Sequence, residues 1–588
     1  MRRIAAGIAV PIAGALLICA FASIWPLRLD IRSLQDMARV QRLPIPHSSG
    51  HFVFFSAGND MESARTATFG LKQLTFPDGS LSWYALKEQC TGAWTTGFTA
   101  VDTAGAMYDP AGGRGGDFVW AAVNHPIDPH ATFIYDTHET RAAFESRLPA
   151  LKSISNAVIV ADIPSESHFV RRAPAGEFTF QRVARISALL GSWFALMLAL
   201  TRFKWNGWLA AAVAVPLAVV LNFSLTYLLH THWTSAILWL ALLAIPSEPL
   251  ALPKPRLIVL CGLALYALLF LARLDFDGDF FNNWLPQGRF HYLLGHHDPS
   301  ANLRYGEIHA ASYPPGYGIV LSTLMWTAEM NPRQSFLLGA DSSFAILLYR
   351  LLICALNAAL LCVMFFHLRR HWAAAALVAL LLIHTTAGQH IAAETLLFPL
   401  LATAIVLIAM RMPAIGVAIA VMSMLVKWEA GLIAAFAVFP WLRLKELKRP
   451  AIVAAISLIP VLIWKLTLTV HNQFFFPPTI TRFTASLPQL PSLAGQAVRL
   501  MLEDGRLLLL VFALPAALYF RLARQRNWTA LPVPLGIAAL CIGFILIFLF
   551  ANYDPPTYLL TSYPRLIMVP VFGAILYCAE TAATQERE

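Results

Sequence analysis

The stretch 257–284, LIVLCGLALYALLFLARLDFDGDFFNNW, places an uncharged run just before three carboxylates, Asp275, Asp277 and Asp279. The run is close to one membrane span in length, since about 20 apolar residues cross the hydrocarbon core of a bilayer. Three acids at alternate positions are unusual there, because charged groups are costly near hydrocarbon. The stretch therefore predicts a membrane helix whose end carries a candidate site.

Apolar runs of this kind recur along most of the chain. Its 588 residues are 58% hydrophobic and only 13% charged, which predicts a polytopic membrane protein and excludes an assembly of soluble domains alone. The net charge of +10 does not indicate nucleic-acid binding, because the Lys and Arg residues lie in short loops between the runs, as the positive-inside rule requires. No nucleic-acid partner is expected.

We predict an all-α polytopic membrane protein with about 14 transmembrane helices. The first is a signal anchor within 1–27, because its apolar run has no convincing small-residue cleavage site. The other predicted spans lie near 183–201, 206–228, 232–246, 257–272, 343–366, 372–388, 394–410, 413–427, 429–442, 450–470, 506–521, 531–551 and 563–580. Linking helices occupy 181–256, and 581–588 is the predicted cytoplasmic tail.

Residues 28–180 differ in kind from the apolar runs. They contain turns such as FPDGS and DPAGGRGGD, and short β-rich runs such as HFVFF (51–55), ATFIY (131–135) and NAVIV (156–160). Such runs between Gly, Pro and Asp turns are typical of strands. We predict an inserted soluble external domain of mixed α/β or β-rich character.

Basic clusters determine the predicted orientation. With this set of spans, the clusters that fall on the side of the N-terminal MRR are RFK (202–204), KPR (254–256), HLRRH (367–371), RLKELKR (443–449) and RLARQR (521–526). Positive loops face the cytoplasm, so both termini are predicted to be cytoplasmic. The domain 28–180 and a long loop, 273–342, are then external.

Three short apolar segments do not fit simple spans. Counting 314–328 as a further span would move HLRRH to the opposite face, so we expect a juxtamembrane or re-entrant helix inside the external loop. The pair 413–427 and 429–442 is short for two full spans, yet Arg411 and Arg443 both belong on the cytoplasmic side. We expect a hairpin of short helices that turns at KWE.

The ionisable residues near the predicted spans collect on the external side. A transport path would scatter polar residues through the membrane midplane, so this distribution favours a pocket at the outer interface. Asp275, Asp277 and Asp279 could raise one another's pKa or hold a divalent cation. Alternatively, they solvate a loop and end the preceding helix.

Other charged residues on this side also have a structural alternative. Glu394 begins a predicted span, where the helix dipole favours an acid. Lys427 and Glu429 could form an ion pair at the hairpin tip. Arg565 could snorkel to the lipid headgroups, or it could hold a phosphate.

The order of the motifs is more specific than any one of them. DGDFFNNWLPQGRFHYLLG is followed by SYPPGYG, AAETLLFPLLA, KWEAGL and SYPRLIMVPVFG. This succession resembles bacterial members of the GT-C glycosyltransferase superfamily, the group that includes protein mannosyltransferases and lipid A aminoarabinose transferases. In that comparison Asp279, five residues before Trp284, matches the loop acid, and YPPG matches a Tyr-Pro-Pro turn. Glu394 replaces a common Asp, and KWEAG resembles a Lys-Asn-Glu-Gly element with two substitutions.

The resemblance implies a GT-C-like catalytic module in 257–580. Residues 28–180 and the four spans before the acidic loop depart from the simplest plan of that family. The implied reaction transfers a sugar from a polyprenyl-phosphate-linked donor to an envelope glycan, lipid or protein acceptor. It takes place on the external face of a bacterial inner membrane, with the lipid tail between helices.

The resemblance also implies roles for individual residues. Asp279 is the candidate base, with Asp277 and Asp275 as helpers, because the acceptor hydroxyl needs a positioned carboxylate. Asp277 and Asp279 are also the candidate ligands of a divalent cation, Mg²⁺ or Mn²⁺. The residues expected to bind substrate, with the first two on the donor phosphate, are Arg565, Lys427, Glu429, Glu394, Tyr313 and Trp284.

Two other functions compete with glycosyl transfer. A transporter or flippase of lipid-linked sugars would need polar residues in both leaflets. A non-catalytic scaffold would bind envelope glycan through 28–180 and use the spans as an anchor.

Overall fold

In a computed structural model of the chain, the described residues are 2–24, 179–203, 205–245, 284–296, 313–330, 340–368, 393–468, 479–503, 506–550 and 555–585, with nine short strands between 27 and 173. The candidate acids Asp275, Asp277 and Asp279 lie outside them. So do two predicted spans, 257–272 and 372–388.

Helices dominate the described part of the chain. The longer ones are Arg2–Ile24, Phe180–Leu200, Gly207–Leu229, Ala340–Leu368, Ala393–Ala409, Lys448–Thr467, Leu490–Glu503, Pro532–Phe548 and Met568–Gln585. The shorter ones are Thr234–Leu243, Leu285–Leu294, Gly316–Thr327, Pro413–Met422, Ala430–Ile433, Ile480–Ser486, Arg506–Leu508, Leu514–Tyr519 and Pro555–Leu566. Within the described ranges, six helices are long and apolar enough to cross a membrane. The predicted class, a helical membrane protein, is confirmed.

The count of about 14 spans stays a prediction. The six long helices match the predicted spans at the N-terminus, 183–201, 206–228, 343–366, 450–470 and 531–551. Five further predicted spans fall on apolar helices of 10–17 residues. The predicted span 506–521 is interrupted by a π-helical turn at Leu509–Ala513.

Helix Ala393–Ala409 forms the centre of the bundle. It is apolar on every side and buried along almost its whole length, as expected for a helix with neighbours all round. It packs against Ala340–Leu368, Pro413–Met422 and Met568–Gln585. Its first turn therefore lies where several chain segments converge.

The predicted hairpin of short helices is confirmed. Helix Pro413–Met422 continues into a 3-10 turn at Ser423–Leu425, and a tight turn leads into Ala430–Ile433. A π-helical turn at Ala434–Val438 and a 3-10 turn at Phe439–Trp441 complete the second arm. The tip of the hairpin is the KWE segment.

The segment 314–328 contains helix Gly316–Thr327, whose 12 residues span about 18 Å. This length is too short for a hydrocarbon core of about 30 Å, as expected for a juxtamembrane or re-entrant helix. The helix is almost entirely buried and packs on Leu285–Leu294. A Cβ at Gly318 would be 2.5 Å from Gln287 Oε1, so glycine permits this close approach.

Short antiparallel strands lie between the first two long helices. The pairs are Leu27–Asp30 with Val170–Ala173, Gln41–Pro44 with Thr132–Tyr135, His51–Ser56 and Cys90–Thr91 with Val119–Asn124, and Ala100–Val101 with Met107–Tyr108. The runs HFVFF and ATFIY coincide with two of these strands, whereas NAVIV lies outside the described residues. The external domain as a whole stays a prediction.

Two sets of polar contacts lie at opposite ends of the helix bundle. Glu394 marks the beginning of helix Ala393–Ala409. At the other ends of the helices, Glu580 contacts His367 Nε2 at 2.6 Å and Arg521 Nη2 at 3.3 Å. His367 and Arg521 belong to basic clusters that were predicted to share one side, and these contacts place them together.

The predicted orientation can be tested by cysteine labelling. In a background without the seven native cysteines, we expect Gly112→Cys and His297→Cys to react with a membrane-impermeant thiol reagent in cells whose outer barrier has been opened. Both positions belong to segments predicted to be external. Arg443→Cys is the matched control, and it should react only after the inner membrane is lysed. Protection of both external positions would overturn the orientation.

Candidate functional site

Ionic contacts between buried and half-buried side chains connect three parts of the chain that are far apart in sequence. Lys427 Nζ donates a hydrogen bond to Glu394 Oε1 at 2.6 Å and lies 3.6 Å from Glu429 Oε1. Arg565 Nη1 lies 3.6 Å from the same Glu394 oxygen. We call these four side chains the ionic cluster.

Each member of the ionic cluster lies at the end of a helix. Glu394 is in the first turn of its helix, and Lys427 and Glu429 are in the hairpin turn. Arg565 is in the last turn of Pro555–Leu566. Backbone groups of a helix end lack intrahelical partners, so polar side chains are favoured there. The cluster therefore occupies the end of the bundle.

The Lys427–Glu394 pair is shielded from solvent, with side chains only 8% and 6% exposed. Burying a charge costs several kcal/mol, roughly, unless it is paired and hydrogen-bonded. The short, charge-assisted bond between the two offsets this cost. Arg565, 15% exposed, adds a second cation beside the same carboxylate.

The observed contacts bear on the alternatives for these residues. Arg565 contacts Glu394 inside the cluster, whereas snorkelling would direct its guanidinium to the headgroups. Lys427 lies closer to Glu394 than to Glu429, so an isolated pair at the hairpin tip does not describe it. Glu394 lies where the helix dipole favours an acid and also binds Lys427.

The two cations are held differently. Lys427 lies between the carboxylates of Glu394 and Glu429, and its shorter contact is the hydrogen bond that it donates to Glu394. Arg565 Nη1 is farther from Glu394, at 3.6 Å. The planar fork of an arginine suits bidentate binding of a phosphate. Of the two cations, Arg565 therefore has the side-chain shape better suited to binding an anionic ligand.

An aromatic group forms the second part of the site. The ring centroids of Trp284 and Tyr313 are 4.7 Å apart, and Trp284 meets the Tyr317 ring edge-on at 5.3 Å. Gln287 Nε2 donates a hydrogen bond to the Tyr313 carbonyl oxygen at 3.0 Å. The structure thus brings together Trp284 and Tyr313, two residues expected in the substrate site.

The Tyr-Pro-Pro-Gly turn also approaches the hairpin tip. A Cβ at Gly316 would be 2.6 Å from the Leu425 carbonyl oxygen, so only glycine fits this contact. Leu425 precedes Lys427 by two residues. The turn that carries Tyr313 therefore packs beside the segment that carries the cluster's lysine.

A chain of hydroxyl groups links the aromatic group to the ionic cluster. The Tyr317 and Tyr349 hydroxyl oxygens are 3.0 Å apart, and the Tyr349 oxygen is 2.5 Å from Thr395 Oγ1. Thr395 directly follows Glu394. Sequence reasoning missed this chain. Tyr317 lies within the motif SYPPGYG and Thr395 within AAETLLFPLLA. Tyr349 lies in an apolar run, where nothing in the sequence distinguishes it.

Arg506 is a further residue that sequence reasoning missed. It is 2% exposed, and its Nη1 donates a hydrogen bond to the Pro564 carbonyl oxygen at 3.0 Å. Carbonyl groups in the last turn of a helix need such external donors. Arg506 therefore stabilises the turn that carries Arg565.

The predicted base and metal ligands lie outside the described residues. Asp279 precedes Trp284 by five residues, which limits their Cα–Cα distance to about 18 Å. Among the residues that the structure describes, no three His, Cys, Asp or Glu side chains form a metal-binding group. The divalent-cation site of Asp277 and Asp279 stays a prediction.

The described arrangement combines two cations, two carboxylates and a group of packed aromatic rings at one end of an apolar bundle. Such a site can hold an anionic group at Arg565, while Lys427 is held by two carboxylates and the half-buried Tyr313 ring packs on an uncharged part of the ligand. Comparison of the chain with protein-family models, curated proteins and solved structures found no match.

Proposed function

We propose that the protein is a glycosyltransferase of the bacterial inner membrane. It moves a sugar from a polyprenyl-phosphate-linked donor to an envelope glycan, lipid or protein acceptor on the external face. The observation that carries the proposal is the ionic cluster, because Glu394, Lys427 and Arg565 come from three distant motifs and meet at one bundle end. This end is the one predicted to face outward.

The charges of the cluster suit the departure of a lipid phosphate. When the bond between sugar and phosphate breaks, negative charge develops on the phosphate oxygens, and fixed cations nearby lower the barrier. Arg565 takes the phosphate, and Lys427 keeps Glu394 in place beside it. Asp279, supplied by the loop before Trp284, accepts the proton of the acceptor hydroxyl.

A reconstituted transfer assay tests the proposal. The purified protein is placed in proteoliposomes with a polyprenyl phosphate that carries a radiolabelled sugar, together with an envelope glycan fraction as acceptor. We expect label to appear in the acceptor. Donor that crosses the bilayer with its sugar still attached would instead support the flippase, and glycan binding without either event would support the scaffold.

Arg565→Lys should weaken use of the lipid donor without preventing folding. Lysine keeps the charge but loses the bidentate fork, so we expect KM for the donor to rise by about tenfold, the equivalent of roughly 1.4 kcal/mol. Arg499→Lys is the control, because Arg499 is 81% exposed and pairs only with Glu503 in the described structure. Unchanged donor kinetics in Arg565→Lys would remove the phosphate role.

A further inference from the structure

We infer that Tyr317, Tyr349 and Thr395 form a positioning relay that sets the placement of the loop helix Leu285–Leu294 relative to the ionic cluster. The inference rests on the proposed function. It assigns to these three hydroxyl groups a role in aligning the aromatic group on the loop with the ionic cluster on the bundle. None of the three is a catalytic residue, since each acts through its neighbours.

The relay is a continuous chain inside the protein. Tyr317 and Tyr349 are 0% and 2% exposed, and Thr395 is 5% exposed. Each hydroxyl can donate one hydrogen bond and accept two, so the two short oxygen–oxygen distances can be satisfied in one direction along the chain. Breaking a hydrogen bond to a buried hydroxyl is unfavourable, because water cannot replace the lost bond there. The relay therefore resists displacement of any member.

One end of the relay reaches the loop. Tyr317 packs edge-on against Trp284, which also contacts Tyr313. Trp284 immediately precedes helix Leu285–Leu294 and follows the predicted base Asp279 by five residues. The position of Tyr317 thus constrains Trp284, the residue at which the loop helix begins.

The other end of the relay reaches the ionic cluster. Thr395 shares the first turn of helix Ala393–Ala409 with Glu394. The hydrogen bond between the Tyr349 and Thr395 hydroxyls holds this turn against helix Ala340–Leu368, and with it the backbone that carries Glu394. Because Glu394 contacts both Lys427 and Arg565, the relay couples the loop to both cations.

Misalignment of reacting groups by about 1 Å can cost on the order of 100-fold in rate. Loss of a single hydroxyl should shift the loop helix relative to the ionic cluster by less than about 1 Å. We therefore expect Tyr349→Phe and Thr395→Val each to lower kcat for sugar transfer by about tenfold. KM for the donor should change by less than about twofold, because Arg565 is retained and Lys427 still donates its hydrogen bond to Glu394.

Two matched variants control for packing. Tyr577→Phe removes a buried tyrosine hydroxyl near the opposite end of the bundle, and Thr403→Val removes a buried threonine hydroxyl from the same helix as Thr395. Both hydroxyl groups lack a hydrogen-bond partner within the described residues. We expect neither control to change kcat.

The experiment is a double-mutant cycle of Tyr349→Phe and Thr395→Val. If both break one link, the double variant should lose no more activity than the worse single variant. Losses that multiply to about 100-fold, or equal losses in the controls, would overturn the relay.

A second measurement does not depend on sugar transfer. Spin labels at His296→Cys and Leu432→Cys, both exposed positions, report the distance between the loop helix and the hairpin. We expect the distance distribution to broaden or shift in Tyr349→Phe but not in Tyr577→Phe. An unchanged distribution in Tyr349→Phe would overturn the relay. If the native protein transfers no sugar, the proposed function fails. The spin-label distances would still show whether the relay positions the loop helix.

Discussion

Lys427→Met is expected to lower the free energy of unfolding by about 3–5 kcal/mol, because the buried Glu394 carboxylate loses its short hydrogen bond and keeps a more distant cation. The substitution would leave Glu394 with Arg565 at 3.6 Å and Glu429 without its nearby lysine. The measurement is unfolding in mixed micelles by titration with dodecyl sulfate, followed by circular dichroism. Methionine keeps the length of the side chain, so packing changes little.

Two further variants separate charge from packing. Arg411→Met removes one partner of the Arg411–Glu446 pair, whose side chains are 45% and 31% exposed, so it should cost at most about 1 kcal/mol. Adding Glu394→Leu to Lys427→Met removes both charges of the buried pair and should recover part of the loss. A loss in Lys427→Met no larger than in Arg411→Met would contradict the cluster as described.

Asp279→Asn is expected to lower sugar transfer by at least about a hundredfold while expression and membrane insertion stay normal. Asparagine preserves the size of the side chain but cannot accept a proton from the acceptor hydroxyl, and loss of a general base typically costs about 10²–10⁴-fold. The measurement is the initial rate in proteoliposomes at saturating donor. Asp275→Asn should be milder if that acid only solvates the helix end.

The three acids give distinguishable outcomes. Loss of transfer in Asp277→Asn with near-normal activity in Asp279→Asn would mean that the base lies two residues earlier in the loop. Full activity in all three variants would support the alternative that the acids only solvate a loop. The proposed mechanism would then have no base. Removal of divalent cations with a chelator should abolish transfer only if Asp277 and Asp279 hold a metal.

The sequence was sufficient to predict the fold class, because a bilayer restricts the secondary structure of the segments that cross it. A chain with long uncharged runs must satisfy its backbone hydrogen bonds within each segment, which requires helices. The hairpin at KWE was also predictable, since Arg411 and Arg443 were both expected on the cytoplasmic side with two short apolar segments between them. For the site, the motif order singled out Glu394, Lys427 and Arg565 one by one.

Only the tertiary structure decided which partners these residues have. Whether Lys427 pairs with Glu429 or with Glu394 depends on how the hairpin packs against the central helix, and local sequence does not encode that distance. The same holds for Tyr349, whose hydroxyl acquires a role only when helix packing brings Tyr317 and Thr395 to it. Local hydrophobicity determines that a segment is a helix, whereas the pairing of its few polar groups is set by the packing of all helices together.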